Sequence, residues 1–488
     1  MRILHATSEL YPLVKTGGLA DVSAALGAAQ RALGHDARVV LPGYPEVLAA
    51  LAADATLLEQ ITEVGGFRGR ILRGALRGVE MPAYVVDCPA LYDRPGGPYL
   101  DASGHDYADN ALRFAMLSRA AADLALGADH DYPPDVIHGH DWQTGLAPAY
   151  LAHSQAARPR SVHTIHNLAY QGVFSADIFP TLGLPEDAMQ MEGVEYHGGV
   201  GFLKAALWYA DALTTVSRTY AAEIQTSAFG LGLEGLLRGR RADLTGIVNG
   251  VDYGVWDPRV DPELPRRYGP DSLGGKLVAK AALRDRFGLG AARGPLFVAV
   301  ARLTPDKGLD LVARAAEALG EFDAQLAILG TGDSGIEAQL LALASHDPSR
   351  VGFVQGYDEA LAHVMQAGAD VTLVPSRTEP CGLTQLYAMR YGSLPLVRRT
   401  GGLADTVVDV AAETLDRATG FVFDEPSPEA LLGAMRRAAS LFEQPCLWTQ
   451  VQARAMANDF GWESAARRYL DVYSNRGDQR TCLERVLS

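Results

Sequence analysis

The hexapeptide Thr16-Gly17-Gly18-Leu19-Ala20-Asp21 recurs letter for letter as Thr400-Gly401-Gly402-Leu403-Ala404-Asp405, near the other end of a chain of 488 residues. Each copy follows a short apolar run, precedes a helical pattern and has a basic residue before it, Lys15 or Arg399. The copies lie much too far apart to be units of a solenoid. They predict two related α/β domains, each with a glycine loop at the carboxyl end of a strand, where open parallel sheets bind ligands.

Short apolar runs alternate with helical patterns on both sides of a segment rich in proline. This alternation predicts βαβ units and parallel sheets with buried strands. The proline-rich segment, 249–275, has no periodicity and is interpreted as the linker between the domains. A further segment, 66–76, has the pattern of an inserted hairpin. The candidate strands are 3–7, 38–41, 84–87, 136–138, 162–165, 212–216 and 246–248 before the linker, and 296–301, 325–329, 351–354, 371–374 and 394–397 after it.

Composition excludes several classes of protein. Lysine and arginine number 43 against 58 acidic residues, a formal charge of −15, which argues against a nucleic-acid or anionic-membrane partner. No apolar run approaches the roughly 18 residues of a membrane span, and the N-terminus has no signal-peptide pattern. The four cysteines form no C-x-x-C pair, which disfavours a zinc ribbon or a thioredoxin motif: they are Cys88, Cys381, Cys446 and Cys482. We therefore expect a cytoplasmic protein.

The first glycine loop is a candidate anion site. Gly17 and Gly18 let backbone amides approach a ligand closely, and the helix start behind them favours a negative charge. Lys15 adds a cation suited to phosphate. The alternative is an ordinary strand–helix turn in which Thr16 caps the helix.

Two cations follow the first strand after the linker. Arg302 and Lys307 lie on the loop before a helix, where a pair of cations can clamp a diphosphate. The alternative is a surface ion pair with Asp306 or Asp310.

A third loop, Pro375-Ser376-Arg377-Thr378-Glu379-Pro380-Cys381-Gly382-Leu383-Thr384, again follows an apolar strand. The Glu379 carboxylate could accept sugar hydroxyls, and the amides after it could bind phosphate oxygens. The alternative is that Glu379 caps the following helix.

Histidines cluster in His138-Gly139-His140-Asp141 and His163-Thr164-Ile165-His166, but strand alternation disfavours a zinc site. Polar groups that contact substrate hydroxyls fit these segments better. The one D-x-D pair, Asp129 and Asp131, precedes a strand and is interpreted as a solvated turn, so no metal is expected.

Gly330-Thr331-Gly332-Asp333-Ser334-Gly335 has the spacing of a dinucleotide-binding loop. The next strand ends at Gln355 without an acid to hold a ribose, and Asp333 would repel a pyrophosphate. A dehydrogenase is therefore disfavoured.

Four long motifs, in order, resemble bacterial glycogen synthase, and plant starch synthases share them. The similarity runs from Met1 to about Tyr473. The motifs are Lys15-Thr16-Gly17-Gly18-Leu19-Ala20-Asp21-Val22, His166-Asn167-Leu168-Ala169-Tyr170-Gln171-Gly172, Asn249-Gly250-Val251-Asp252 and Glu379-Pro380-Cys381-Gly382-Leu383-Thr384-Gln385.

The resemblance implies a GT-B architecture, an α/β fold with two Rossmann-like domains facing each other across a deep cleft. It implies an acceptor-side domain at 1–250, a nucleotide-sugar domain at 251–457 and a terminal helix, 458–488, that crosses back to the first domain. The implied reaction moves glucose from ADP-glucose to the non-reducing end of an α-1,4-glucan such as glycogen, with retention of configuration and no cofactor.

The resemblance also implies roles for individual residues. Lys15, Arg302 and Lys307 match positions that hold the donor phosphates, and Glu379 matches the carboxylate near the donor sugar. Asp141, His166 and Asn249 match sugar-side positions, and Tyr357 matches a position that stacks near adenine. The second glycine loop, 401–405, matches a segment that meets the donor. Implied substrate-binding positions also include Gly17, Gly18, Cys381, Gly382, Leu383 and Thr384.

Two positions depart from the wider pattern. Many retaining enzymes of this architecture carry E-x7-E, but Tyr387 stands eight residues after Glu379, and His163 stands where an apolar residue is expected. Without a second carboxylate, same-face transfer is preferred to a double displacement. Three alternatives remain: a retaining glycosyltransferase that uses UDP-glucose or makes a disaccharide, an NAD dehydrogenase, and a non-catalytic glucan-binding protein.

Overall fold

The computed structural model describes residues 1–475, so Cys482 lies outside the described part of the chain. The chain forms two compact units. Unit 1 comprises Met1–Gly250 together with the described residues from Trp462 to Asn475, and unit 2 comprises Val251–Gly461. Within residues 1–475, no helix is long and apolar enough to cross a membrane.

The strands, in chain order, are β1 (Arg2–Ala6), β2 (Asp36–Pro42), β3 (Thr56–Val64), β4 (Phe67–Ala75), β5 (Pro82–Asp87), β6 (Val136–His140), β7 (Arg160–Ile165), β8 (Val173–Ser175), β9 (Glu195–Tyr196), β10 (Gly199–Gly201), β11 (Ala212–Thr215), β12 (Leu244–Gly246), β13 (Leu296–Val300), β14 (Gln325–Gly330), β15 (Val351–Gln355), β16 (Val371–Val374), β17 (Leu394–Arg398) and β18 (Phe421–Phe423).

The α-helices are α1 (Gly18–Ala32), α2 (Pro45–Ala50), α3 (Pro89–Tyr92), α4 (Asn110–Asp123), α5 (Ala147–Ala152), α6 (Phe202–Tyr209), α7 (Arg218–Glu223), α8 (Glu234–Gly239), α9 (Gly274–Phe287), α10 (Leu309–Ala315), α11 (Ser334–His346), α12 (Glu359–Gly368), α13 (Thr384–Arg390), α14 (Gly401–Thr406), α15 (Pro428–Phe442), α16 (Pro445–Ala457) and α17 (Trp462–Ser474).

Unit 1 is built on a nine-stranded sheet in the order β12-β11-β7-β6-β1-β2-β5-β4-β3. The strands from β12 to β5 are parallel, and β4 and β3 are antiparallel at the edge. The expected hairpin is present, but it begins ten residues earlier than predicted, at Thr56. The sequence does not predict its first strand, because β3 is mostly exposed and shows no apolar alternation. Gly65 and Gly66 form its two-residue turn, both with positive φ (57° and 81°).

The core of unit 1 lies between this sheet and helices on both of its faces. Trp462, Ala466, Tyr469 and Tyr473 of α17 are buried in it, and α17 packs on α1. Their burial explains why α17 belongs to unit 1 although it follows unit 2 in the chain.

Unit 2 is built on a six-stranded, fully parallel sheet in the order β15-β14-β13-β16-β17-β18. Numbered from its own first strand, this is the 3-2-1-4-5-6 order of the Rossmann fold. The first six of the seven parallel strands of unit 1 follow the same order, with β1 first and β6 fourth, and β12 extends the sheet as the seventh. The fold class is therefore α/β, with two Rossmann-like units.

This strand order fixes where each unit can bind a ligand. The order reverses between β1 and β6 in unit 1, and between β13 and β16 in unit 2. Loops that leave the carboxyl ends of these strands diverge and leave a crevice.

Candidate functional site

The loop after β1 in unit 1 is organised by a carboxylate that sequence reasoning missed. Glu9 is buried, and its Oε2 accepts hydrogen bonds from the amides of Thr16 (2.6 Å) and Gly17 (3.1 Å). Its Oε1 accepts from the hydroxyl of Tyr99 at 2.5 Å. Burial raises the pKa of Glu9, against these hydrogen bonds, which lower it. The amides of Thr16 and Gly17 therefore already hold an internal anion. Only the spacing of Glu9, just past the strand, could have indicated it.

Gly17 caps helix α1 with extended backbone and no side-chain bond, so the alternative that Thr16 caps the helix is wrong. A Cβ on Gly17 would meet no atom within 4 Å, so this face of the loop is open. Gly18, the first residue of α1, is exposed. Lys15 is bound to Asp21 at 3.0 Å, and its ammonium lies 5.2 Å from the centre of the Tyr11 ring.

Asp141 directly follows β6 in a strained conformation. Its backbone φ is 53°, a value that residues other than glycine seldom adopt. Its buried carboxylate accepts from the amides of His166 (2.7 Å) and Asn167 (3.4 Å). Burial raises the pKa of Asp141 to about 7, against these two hydrogen bonds. Asp141 thus fixes the loop after β7 from the end of β6.

The histidines differ in depth. His166 is half-buried, and desolvation lowers its pKa to about 3. His138 and His140 point to the same face of β6 and are fully buried. Their predicted contact with substrate hydroxyls is therefore wrong, and both belong to a buried hydrogen-bonded network. His163 is also fully buried, and neither of its ring nitrogens has a partner among the described residues.

Asn249 lies in the last loop of unit 1, beyond β12. Its side chain is buried, and its Oδ1 has no hydrogen-bond partner among residues 1–475. A buried amide oxygen without a partner is unusual in a folded protein, and a ligand or water would satisfy it.

The loop after β13 in unit 2 carries both predicted cations. Arg302 is exposed and forms no hydrogen bond or ion pair with any other residue in the described part of the chain. Lys307 donates to both oxygens of Glu379, at 2.9 and 2.8 Å. The alternative pairing of these cations with Asp306 or Asp310 is wrong, because Asp310 pairs with Arg377 instead.

Glu379 follows β16 and lies next to the β13 loop because their strands are neighbours. It also accepts from the hydroxyl of Ser376 at 2.8 Å, and it is buried. Helix α13 begins five residues later with Leu383 as its cap, so the capping role considered for Glu379 is wrong. The ion pair joins the two loops that flank the point where the strand order reverses.

Three consecutive amides at the start of α13 have no acceptor in the described part of the chain. The N–H groups of Gly382, Leu383 and Thr384 donate to no acceptor among residues 1–475. Gly382 has a φ of 70°, which turns the chain at this point. Cys381 is buried, and its carbonyl accepts from the side chain of Gln385 at 3.0 Å.

The second glycine loop serves a different purpose from the first. A Cβ on Gly401 would lie 2.0 Å from the carbonyl oxygen of Glu379, and one on Gly402 would lie 2.1 Å from that of Cys381. Gly401 also has a φ of 43°. These glycines allow the loop after β17 to pack directly on the Glu379 loop, and so help to position it.

Tyr357 follows the edge strand β15 at the same edge of the sheet. Its side chain is 72% exposed, which is unusual for an aromatic residue, and its hydroxyl donates to Glu359 at 2.6 Å.

Two sequence motifs that were not assigned to the site, G-x-G-x-x-G and D-x-D, form hydrogen bonds and ion pairs with other groups of the same chain. Glu337 accepts from the amide of Gly332, and Asp333 caps α11, so the G-x-G-x-x-G loop binds its own carboxylates. In the D-x-D pair, Asp129 and Asp131 both bind Arg73. Asp129 is buried, so the interpretation as a solvated turn is wrong for this residue.

Comparisons with known proteins identify the family. The starch synthase catalytic domain matches residues 2–239, and glycosyl transferases group 1 matches residues 284–445. The glycogen synthase of Leptothrix cholodnii is 51% identical over 482 residues, covering 97% of this chain and 99% of that protein. Glycogen synthase 1 of Rhizobium meliloti is 49% identical over 477 residues, with 97% and 99% coverage.

The catalytic domain of starch synthase IV from Arabidopsis thaliana, solved bound to ADP and acarbose, matches with a TM-score of 0.86 and 31% identity. The match covers 100% of this chain and 99% of that one. The two Rossmann-like units therefore have the GT-B architecture. With relatives this similar over nearly their whole length, the chain belongs to the glycogen synthase family of glycosyltransferases.

Proposed function

We propose that this protein transfers glucose from ADP-glucose to the non-reducing end of an α-1,4-glucan, with retention of configuration. The observation that carries the proposal is the group of Arg302, Lys307 and Glu379 at the switch point of unit 2. The similar starch synthase was solved with ADP and acarbose bound, which supports an adenine nucleotide and an α-glucan as ligands.

Donor binding is assigned mainly to unit 2. Arg302 has its guanidinium available, and a diphosphate would draw Lys307 partly away from Glu379. The free amides of Gly382, Leu383 and Thr384 add donors for phosphate oxygens, since cations and oriented amides together stabilise a leaving diphosphate. Local cations are required because the chain carries a net charge of −15. The exposed Tyr357 ring offers a surface on which adenine can stack.

Residues of unit 1 are assigned to the sugars and to one phosphate contact. Lys15 supplies a cation beside the open face of the loop at Gly17. His166 and the unpartnered oxygen of Asn249 offer hydrogen-bonding groups to sugar hydroxyls. Asp141 positions the His166 loop through its amide contacts.

Retention requires a nucleophile on the enzyme or transfer on one face of the sugar. At position 387, where the E-x7-E pattern would place a second carboxylate for a double displacement, this chain has Tyr387, which is stacked on Trp256 with ring centres 4.0 Å apart and planes 4° apart. In same-face transfer, the bond from the anomeric carbon to the phosphate oxygen breaks and a bond to the acceptor hydroxyl oxygen forms. The acceptor proton moves to the departing phosphate, so ADP leaves as that bond forms.

No divalent metal is assigned to this reaction. At the carboxyl ends of β13 and β16, Glu379 is paired with Lys307 and Asp310 with Arg377, so neither carboxylate needs a metal to balance its charge. We expect turnover to survive exhaustive chelation. Loss of activity with EDTA and recovery with magnesium would contradict this expectation.

The direct test is incorporation of labelled glucose into glycogen from ADP-glucose and, separately, from UDP-glucose. We expect incorporation from ADP-glucose and release of the label by an enzyme specific for α-1,4 linkages. Label that follows UDP-glucose or appears in a disaccharide would favour the alternative retaining glycosyltransferase. Arg302→Ala should raise the donor KM, whereas Arg436→Ala, which removes an exposed ion pair in unit 2, should not.

A further inference from the structure

A single chain of hydrogen bonds runs from His166 through the core of unit 1. Nε2 of His166 lies 3.0 Å from Nδ1 of His140, and Nε2 of His140 lies 3.2 Å from Nδ1 of His5. Nε2 of His5 lies 2.7 Å from Oε1 of Gln30.

The chain continues beyond Gln30. Nε2 of Gln30 donates to the hydroxyl of Tyr473 at 3.1 Å, and this hydroxyl lies 2.7 Å from Nδ1 of His138. Nε2 of His138 lies 2.6 Å from the hydroxyl of Thr164, which in turn lies 2.5 Å from that of Thr214. The members after His166 are all buried, and they belong to six elements: the strands β1, β6, β7 and β11 and the helices α1 and α17.

The histidines that belong to this series of hydrogen bonds are neutral. Burial lowers the pKa of His5 to about 4 and the pKa of His138 and His140 well below the usual value. A neutral imidazole has one N–H donor and one acceptor nitrogen. A ring that donates a hydrogen bond on one side must therefore accept one on the other side, and all the bonds in the series run in the same donor-to-acceptor direction.

Gln30 sets the donor-to-acceptor direction, because its amide oxygen can only accept a hydrogen bond and its NH2 group can only donate one. Its oxygen can only accept, so Nε2 of His5 must carry the hydrogen and Nδ1 of His5 must accept. Nε2 of His140 then donates to His5, and Nε2 of His166 donates to His140. The remaining nitrogen of His166, Nδ1, has no partner among the described residues and is left as an acceptor.

We propose that Gln30 is a positioning residue that holds His166 in the Nε2–H tautomer, so that His166 presents an acceptor nitrogen to a sugar hydroxyl. The proposal rests on the proposed function only for the identity of that hydroxyl group. The opposite orientation of the Gln30 amide would reverse every bond and present a donor instead, so the amide decides what His166 can recognise.

A metal site at the same histidines fits less well. His5, His138 and His140 lie close enough together to be considered as ligands. All six of their ring nitrogens, however, already have hydrogen-bond partners. A metal would have to displace the chain that connects Gln30 to His166.

The test is the tautomer of each ring, read from nitrogen-15 spectra of histidine-labelled protein, which separate Nε2–H from Nδ1–H. The chain has 12 histidines, and single His→Gln variants assign the signals. We expect His5, His138, His140 and His166 all in the Nε2–H form. The Nδ1–H form at His166 would overturn the proposal.

Three variants separate the two arms of the chain. Gln30→Glu accepts from both sides, so His166 should keep its tautomer while His138 changes to Nδ1–H. Gln30→Met should leave His166 in a mixture of tautomers. Tyr473→Phe breaks only the arm to His138, so it is the matched control and should leave His166 unchanged. A pure Nε2–H form of His166 in Gln30→Met would overturn the role of Gln30.

Kinetics then test whether the tautomer matters. Gln30→Met should lower kcat/KM with ADP-glucose and glycogen about three- to tenfold, the effect of one neutral hydrogen bond, and Tyr473→Phe should lower it less. Equal losses in both variants would show a merely structural role and overturn the proposal. The spectra do not require turnover, so absence of ADP-glucose activity would count against the proposed function alone.

Discussion

At the scale of single residues, Glu379 shares its carboxylate between the ammonium of Lys307 and the hydroxyl of Ser376. Glu379→Gln keeps the shape and the bond from Ser376 but removes the charge. We expect turnover to fall at least ~100-fold, as for other groups aimed at transition-state charge. Stability should fall by only about 1–3 kcal/mol, because Lys307 is partly exposed and can be hydrated.

The measurements are turnover at saturating substrates and thermal unfolding of the same sample. Ser376→Ala is the matched control, because it removes a neighbouring bond to the same carboxylate. It should lower stability by about 1 kcal/mol and change turnover little. Normal turnover in Glu379→Gln, together with lowered stability, would make Glu379 a structural residue.

Asp141 should make stability depend on pH. Its pKa is about 7 in the folded protein against 3.8 for the free side chain. Between these values the folded chain holds a proton that the unfolded chain has lost, so the free energy of unfolding falls as the pH rises. The loss is complete above the folded pKa and amounts to roughly 4 kcal/mol at most. Asp141→Asn should therefore be more stable than the parent protein at pH 8 and show little gain at pH 4.

Asn suits this position because it tolerates positive φ and can still accept from both amides. Asp211 is the control with the opposite sign. Bonds to Arg158 and Ser161 outweigh its burial and hold its pKa at about 2. Asp211→Asn should thus lower stability at pH 8, and less so as the pH falls towards 2. Unfolding in urea at several pH values measures both, and equal effects of the two variants would contradict these assignments.

At the scale of elements, the two copies of the hexapeptide should respond differently to the same substitution. Gly401→Ala places a Cβ 2.0 Å from the Glu379 carbonyl oxygen at a φ of 43°, so it should destabilise unit 2 by several kcal/mol, beyond the roughly 1–3 kcal/mol of backbone strain. Gly17→Ala meets no atom within 4 Å and should change stability by about 0.5 kcal/mol or less.

Enzyme kinetics should show the opposite contrast between the two copies of the hexapeptide, with the direct effect on substrate binding at Gly17. Gly17→Ala should raise the KM of a substrate, because the added methyl group lies on the open face of the loop. Thermal unfolding and steady-state kinetics of the pair provide the measurement. A large loss of stability in Gly17→Ala would show that both glycines serve internal packing.

The sequence predicts elements best where one physical rule dominates. Buried parallel strands such as β1, β13 and β16 are continuous apolar runs, and the residues just past them could be assigned to ligand-binding edges. The edge strand β3 was missed because it is exposed and has no apolar alternation. Alternation along β6 and β7 indicates which histidines share a face, but it does not indicate depth. The burial of His138 depends on α17, which is more than 300 residues away.

The site shows the same limit. Arg302, Lys307 and Glu379 could be named from their positions after strands, whereas the contact between Lys307 and Glu379 depends on the pairing of β13 with β16. Glu9 was missed because the glycine loop alone predicts an empty anion site. Apart from the position of Glu9 just past β1, no local pattern indicates that a carboxylate of the same loop fills it.

At the scale of the whole molecule, the chain returns to unit 1 after completing unit 2, and α17 should stabilise unit 1 alone. Tyr469 is fully buried there, with its ring centre 5.4 Å from that of His138. Tyr469→Ala removes a large buried ring and should lower the stability of unit 1 by about 3–5 kcal/mol. Arg467 lies on the same helix with its side chain 63% exposed, so Arg467→Ala should have an effect of about 0.5 kcal/mol or less.

Hydrogen exchange measured on peptides can assign the loss to one unit. In Tyr469→Ala we expect faster exchange in β6, which contacts α17 through His138, and in its neighbour β1, and unchanged exchange in β13 and β14 of unit 2. The arrangement requires this difference, because Trp462, Tyr469 and Tyr473 are part of the unit 1 core, whereas β13 and β14 pack in the separate core of unit 2. Equal loss of protection in both sheets would show that the two units unfold together, and the assignment of α17 to unit 1 would then have no energetic consequence of its own.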